Sequence, residues 1–238
     1  MPRKYARRRR RVGRRRGRRP VLRGRRRKAR VYPMIGFPRS RFIRMRYARH
    51  YSFASTNTLD YIAFKTNGLV DPSNVVGDHQ PLGFDQWQPF YNAFMVIASR
   101  IRISATTGST TIVPTCLGVR VTDVANAPLA TTWPGLVEQG KSKYRIIQNA
   151  VNGQPINMLS MGWSAKRWFG FKDWKDNTAL YAGTLQTSPI ADPPTDGTAW
   201  FQVFRQPADQ ATPVAILDII VVIDYLVAFF EPTEIKQS

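Results

Sequence analysis

The chain has one cysteine, Cys116, and two histidines, His50 and His79, in 238 residues. A single thiol excludes an intramolecular disulfide framework and any cysteine-based zinc site within one chain, and two histidines leave little for metal chemistry. No carboxylate precedes Asp60. The longest apolar stretch, Val214 to Phe230, is interrupted by Asp218 and Asp224 and falls short of the ~20 residues that span a bilayer. A secretory signal needs an apolar stretch after its basic start, whereas here the basic residues run on to Arg30 with only isolated Val12, Val21 and Leu22. The N-terminus is expected to be that of the mature protein, and no membrane partner is expected. The phosphate loop GxxxxGK[ST], the GxSxG elbow and the HExxH zinc pair are all missing, and no paired-carboxylate spacing stands out. His50 and His79 read as ordinary surface or interface residues. The chain is expected not to be an enzyme, and to need no cofactor and no metal.

What the chain does have is charge of one sign at one end. Residues 1–49 hold 23 of the 36 Lys and Arg and none of the 15 acids, and the other 189 residues carry 13 bases against those 15 acids. A uniformly basic enzyme is excluded, and a near-neutral body with a cationic arm remains. That asymmetry points to a polyanion as partner. The arm residues that would meet it are Arg3, Lys4, Arg7, Arg8, Arg9, Arg10, Arg11, Arg14, Arg15, Arg16, Arg18, Arg19, Arg23, Arg25, Arg26, Arg27, Lys28 and Arg30. Gly13, Gly17, Pro20 and Gly24 break the run, like charges repel, and too little apolar surface exists to offset the entropy of ordering. Disorder until a polyanion binds is the expectation. Blocks of this density mark nucleic-acid arms or nuclear-import signals, which can use the same residues. A solvated tail that only aids solubility is the blander reading.

From Phe42 the pattern changes to FIRMRYARHYSF, in which Arg44, Arg46 and His50 alternate with Ile43, Met45, Tyr47 and Tyr51. Period two predicts a strand with one basic and one apolar face, and Arg44 and Arg46 join the arm as candidate nucleic-acid contacts. Further β-type runs are Leu59 to Phe64, Phe94 to Ala105, Thr111 to Thr122, Tyr144 to Ile147, Trp200 to Arg205 and Val214 to Ala228. In the last, Leu217, Ile219, Val221, Ile223, Tyr225 and Val227 form one apolar face, and on a helix the two aspartates would share no polar face. Turn-rich stretches separate the runs at 67–83, 125–140, 149–155 and 187–197. This punctuation predicts an all-β sandwich or barrel rather than βαβ units, divided into an arm, 1–40, and one folded domain, 41–238. Loops this long are expected to contact other subunits, and short helices can sit within them, for instance near Asp173 to Tyr181.

A second cationic signal is MGWSAKRWFGFKDWK, where Trp163, Trp168, Phe169, Phe171 and Trp174 interleave with Lys166, Arg167, Lys172 and Lys175. Rings that stack on unpaired bases beside cations that neutralise phosphates suit single-stranded nucleic acid. The same composition suits a subunit interface or a core, so both readings stay open for Trp163, Lys166, Arg167, Trp168, Lys172 and Trp174. Smaller basic faces occur at Arg100 with Arg102, and at Lys141, Lys143 and Arg145. Each either meets phosphate or is a solvated or salt-bridged face.

The order of these features resembles the capsid proteins of circoviruses and related small circular single-stranded DNA viruses. The matching pieces are the arm MPRKYARRRRRVGRRRGRR, the YNAFMVIASRIRIS strand after FDQWQPFY, the KRWFGFKD segment, the Ser188-Pro189 loop before AWFQVF, and the closing IIVVIDYLVAFFEP. The resemblance implies a single eight-stranded jelly roll of the viral capsid type and a T=1 icosahedral shell of sixty copies. It implies that the chain's partners are itself, a single-stranded DNA genome bound without sequence preference, and host nuclear-import factors that read the arm. An unspecified host attachment factor would meet the outer loops. The protein would reside in the virion and, during assembly, in the host nucleus. Sixty chains at +21 carry roughly 1,260 positive charges, the scale of ~1.3 kilobases of single strand at one charge per phosphate. One alternative is the capsid of a small RNA virus, which can combine the same arm with the same fold; residues separate RNA from DNA poorly, because phosphate neutralisation is blind to the sugar. A cellular basic-tailed nucleic-acid-binding protein is the other alternative.

Overall fold

Period-two alternation, read above as strands, organises the body of the chain. A computed structural model describes residues 38–73, 78–107, 113–125, 130–147, 156–170, 182–183, 198–212 and 216–233. The arm residues Arg3 to Arg30 and the short helix expected near Asp173 to Tyr181 lie outside them. The strands are β1 (Ser40–Phe53), β2 (Asp60–Lys65), β3 (Tyr91–Thr107), β4 (Thr115–Thr122), β5 (Ser142–Ile147), β6 (Ile156–Ser164), β7 (Ala182–Gly183), β8 (Trp200–Pro207) and β9 (Leu217–Pro232). Short helices α1 (Phe84–Trp87), α2 (Trp133–Glu138) and α3 (Ala165–Phe169) lie in the connections.

One sheet has the order β1-β9-β3-β6, with the two-residue β7 added beside β3, and the other has β2-β8-β4-β5, all neighbours antiparallel. The first and last strands are thus neighbours in one sheet, and the second and next-to-last are neighbours in the other. That interleaving is a jelly roll of eight principal strands.

The core lies between the sheets. The face Leu217, Ile219, Val221, Ile223, Tyr225 and Val227 is buried along β9, as its alternation requires. It meets Met45, Tyr47 and Phe53 of β1, Ile101 and Ile103 of β3, and, from the opposite sheet, Leu117, Val119, Phe201 and Val203 in one cluster. Each fully buried side chain of this size contributes ~1.5–3 kcal/mol of transfer free energy. Tyr225 Oη donates to the carbonyl of Lys65 at 2.9 Å, tying β9 to β2 across the core. Arg205 is the unusual member, fully buried in line with Phe201 and Val203. Its guanidinium donates to the Ala54 carbonyl and lies 5.8 Å from the Phe53 ring centre, and burial lowers its pKa against the opposing pull of Asp60.

The β6 strand was not legible as a strand, because Gly162 and its serines merge into the aromatic-basic stretch that follows. Helix α2 falls inside the stretch 125–140 that reads as loop. It covers the outer face of the β2-β8-β4-β5 sheet, where Cys116, Phe204 and Leu136 form a second cluster with Tyr61, Trp133 and Val137 around it. Burial there pushes the Cys116 thiol up to about 12.

An ionic latch fixes the chain after β2 against β1. Tyr47 Oη donates to Asp78 Oδ2, Arg49 Nη1 lies 2.5 Å from the same oxygen and donates to Ser73 Oγ at 2.6 Å, and the His79 ring stacks on Tyr47 at 4.7 Å. Burial alone would raise the pKa of Asp78, but hydrogen bonds from Ser73, Tyr47, the His79 backbone N–H and Arg49 outweigh it and hold the carboxyl at about 2. A carboxyl depressed on folding stabilises above its unfolded pKa and loses that contribution as pH falls through its folded one. Asp78 therefore contributes roughly 2 kcal/mol that disappears between about pH 4 and pH 2. Denaturant titrations across that window are expected to show a steep loss of stability in the native chain and a flatter one in Asp78→Asn.

Candidate nucleic-acid interface

The outer face of the β1-β9-β3-β6 sheet is built by the residues that alternate away from the core. On β1 these are Phe42, Arg44, Arg46, Ala48 and His50, every one exposed. Register sets their neighbours across β9 and β3. Arg44 faces Leu226 and then Ala98, Arg46 faces Asp224 and then Arg100, and Ala48 faces Val222 and then Arg102. The β6 strand continues these rows with Ser164, Gly162 and Ser160.

Four guanidiniums thus share this face with one carboxylate, Asp224, which pairs with two of them. Arg46 Nε is 2.7 Å from Asp224 Oδ1, and Arg102 Nη2 is 2.6 Å from Asp224 Oδ2. Arg100, which stands opposite Asp224, turns to β6 instead, where its Nε donates to Ser160 Oγ at 2.8 Å. Neither Arg44 nor Arg100 has an ion-pair partner among the described residues. Exposed pairs contribute little to stability, so the work of Asp224 is to orient two arginines while leaving the cluster with excess positive charge. At the far end, Asp218 accepts from Ser52 Oγ at 2.5 Å and lies 3.5 Å from His50 Nε2. Between Arg44, Arg46, Arg100 and Asp224 lies an open groove of about 600 Å³ floored by Ala98 and Leu226. Phe42 and Ile220, 53 % and 48 % exposed, add apolar surface to the same face. Guanidiniums spaced at strand intervals beside apolar patches can hold phosphates and let sugars or bases rest between them. The opposite sheet offers no such surface over the part that α2 covers.

No family model and no curated protein matches the chain. Among solved structures it is similar to the decameric BFDV capsid protein, with 10 % identity and a TM-score of 0.46 over 80 % of this chain and 99 % of that one. It is also similar to tobacco necrosis virus, with 13 % identity and a TM-score of 0.48 over 82 % and 97 %. A third is mud crab tombus-like virus, with 10 % identity and a TM-score of 0.46 over 87 % and 96 %. Likeness at this level concerns the course of the backbone, and function has to be argued from the residues of this chain.

Those residues fall in two places. Arg44 and Arg46 lie on the outer face, where Arg100 and Arg102 join them. In the aromatic-basic stretch, Trp163 is buried, 5 % exposed, with Phe169 edge-on at 6.2 Å, and it belongs to the core. Lys166 and Arg167 are exposed and Trp168 is partly buried, with Lys141 Nζ 4.3 Å from its ring centre. Lys172 and Trp174 lie outside the described residues. The convergence of β1 and β3 arginines could not be found in the sequence, because it depends on β9 inserting between strands that are fifty residues apart. Among the described residues no group of three His, Cys, Asp or Glu could hold a metal ion, and no helix is long and apolar enough to cross a membrane.

Charge changes on this face have opposite expected signs. Asp224→Asn frees two arginines and is expected to tighten binding of oligo(dT) at low salt. Arg44→Glu with Arg100→Glu is expected to weaken it, flattening the log K against log [salt] slope by roughly 1.4 if each arginine meets one phosphate. Fluorescence anisotropy over a salt series measures both.

Proposed function

We propose that the chain is the structural subunit of a small viral shell, which packages single-stranded nucleic acid through its N-terminal arm and the arginine face of the β1-β9-β3-β6 sheet. One observation carries this reading: eighteen basic residues in 3–30 lead into the strand whose outward side chains include Arg44 and Arg46. The arm, 1–40, and the arginine face of the body, 41–238, then each offer cations to the same polyanion. The jelly roll alone would not suffice, since lectin and cupin domains share it.

Within this reading the shell has T=1 symmetry with sixty copies, the cargo is a small circular single-stranded DNA genome, and the arm also serves nuclear import. The circovirus-like order of arm, strands and aromatic-basic stretch supports these choices, and sixty chains at +21 supply charge on the scale of ~1.3 kilobases of single strand at one charge per phosphate. Assembly draws on apolar burial between subunits and on counterion release from the nucleic acid. The body itself acts as scaffold and not as catalyst.

Negative-stain electron microscopy of the purified protein, with its absorbance ratio at 260 and 280 nm, tests the proposal. Uniform spheres of nucleic-acid-containing particles are expected, sensitive after disruption to a DNA-specific nuclease. Sensitivity to ribonuclease alone would move the assignment to an RNA virus capsid. A monomer that forms no particles even with added single-stranded DNA would overturn the shell.

A further inference from the structure

The arginine rows do not stop at the sheet edge. Row by row, Arg46, Asp224, Arg100 and Gly162 run across β1, β9, β3 and β6, at right angles to the strands. Where a side chain on β6 would close the row, Gly162 is exposed and carries none. Beyond it, Lys143 Nζ donates to the Ser160 carbonyl at 3.0 Å, on the same residue whose hydroxyl accepts from Arg100. Arg100 and Lys143 therefore flank β6 from its two sides. Past Lys143 opens a niche of about 350 Å³ that includes Gly162, Trp163, Arg167 and Trp168 in its lining.

The niche has the parts of a nucleotide site. Trp168 offers a partly exposed indole, with Lys141, Lys143 and Arg167 around it. Lys141 is held at φ +48° directly after Gly140 at φ +76°, a left-handed pair that turns the chain into β5. A lysine rarely occupies that backbone region, and here the turn carries its ammonium to the Trp168 ring. The buried indole N–H of Trp163, which also lines the niche, has no hydrogen-bond partner among the described residues.

We infer that a single strand of nucleic acid crosses the outer face perpendicular to the β-strands, its phosphates following Arg46, Arg100 and Lys143 over Gly162, with one base seated beside Trp168. This rests on the packaging reading above and gives it a path. Adjacent strands are ~4.8 Å apart, so the crossing from β1 to β6 spans ~14 Å, enough for two or three nucleotides. The contact would be indifferent to sequence, because every base has a face to stack. An indole favours a nucleobase over a sulfated glycan, whose sugar rings are not aromatic and offer no π-face.

Ultraviolet cross-linking of the full-length protein to oligo(dT), followed by peptide mass spectrometry, tests the path. Cross-links are expected in the peptides holding Trp168 and Lys143 as well as in the arm. In Gly162→Glu the Trp168 cross-links are expected to fall roughly fivefold or more while arm cross-links persist, since loss of one stacked base removes that order of affinity. Gly162 is exposed and nothing lies within van der Waals clash of an added Cβ, the nearest atom being the Ser99 carbonyl oxygen at 3.9 Å. Trp168→Leu keeps an apolar side chain, and is expected to weaken oligo(dT) more than inorganic polyphosphate. Cross-links confined to the arm in the native chain would overturn the path while leaving packaging intact. The path also falls if Gly162→Glu has no effect on Trp168, or if heparin but not oligo(dT) protects Lys141 and Lys143 from acetylation. Absence of cross-links anywhere, the arm included, would overturn the packaging reading itself.

Discussion

A chain lacking residues 1–30 is expected to fold and to form shells, yet to purify with a protein-only absorbance spectrum. Deletion removes eighteen of the 36 basic residues and no acid, leaving 18 bases against 15 acids. Each arm cation that neutralises a phosphate contributes about 0.7 to the salt slope for single strands. The truncated chain should therefore bind oligo(dT) with a slope of only a few, set by the sheet-face arginines, and lose affinity by orders of magnitude near physiological salt. None of the core residues described above lies in 1–30, so the melting temperature of the unassembled subunit should hardly move. The readings to compare are the absorbance ratio, the salt series and the melt. Truncated shells that still carry nucleic acid in full would mean that the body packages unaided, and an unfolded truncate would mean that the arm supports the fold.

The largest expected effect on stability comes from a glycine inside a strand. Gly118 of β4 stands opposite Phe204 of β8 in the register, and a Cβ built at Gly118 would lie 2.1 Å from the tip of the Phe204 ring. Phe204 is itself fully buried beneath Leu136, so its ring has nowhere to retreat. An added methyl overpacks the site, and overpacking costs ~1–3 kcal/mol. Gly118→Val, with two further carbons, is expected at the upper end, a drop of roughly 6–10 °C for a domain of about 200 residues. Phe204→Leu in the same chain should recover part of that loss, although each change alone destabilises. Differential scanning calorimetry of the four proteins in this cycle measures the coupling, and additive losses would show that the ring is not what excludes a side chain.

The strands were legible where burial is one-sided. Alternation located β1 and β9 and assigned their inner faces correctly, since a strand half in water must alternate. Arg44 and Arg46 were accordingly placed outward from the sequence alone. The pairing of strands was not legible, because period two says which face is buried and nothing about which strand lies alongside. Arg100 and Arg102 thus read as a minor basic face until β9 brought Asp224 between them and Arg46. Trp163 and Trp168 read as one group in the sequence, and both line the niche, but Trp163 at the end of β6 is buried whereas Trp168 on α3 keeps part of its indole exposed. Gly118 gave no signal at all, as a glycine in a strand looks like a weakness until the ring that covers it is seen.

The neighbourhood of β1 and β9 also sets an order of events on the ribosome. Ser40 pairs with Phe230 and Phe53 with Leu217, and β3 takes its main partner from the same late strand. Loop closure over such separations is slow, and native pairing has to wait until β9 has left the exit tunnel. The polybasic segment precedes β1 in the chain and is therefore made well before the sheet can be completed. On the packaging reading proposed above, nascent chains would be exposed to any RNA nearby before the body is complete, so that timing, as much as affinity, would decide which polymer the arm meets first.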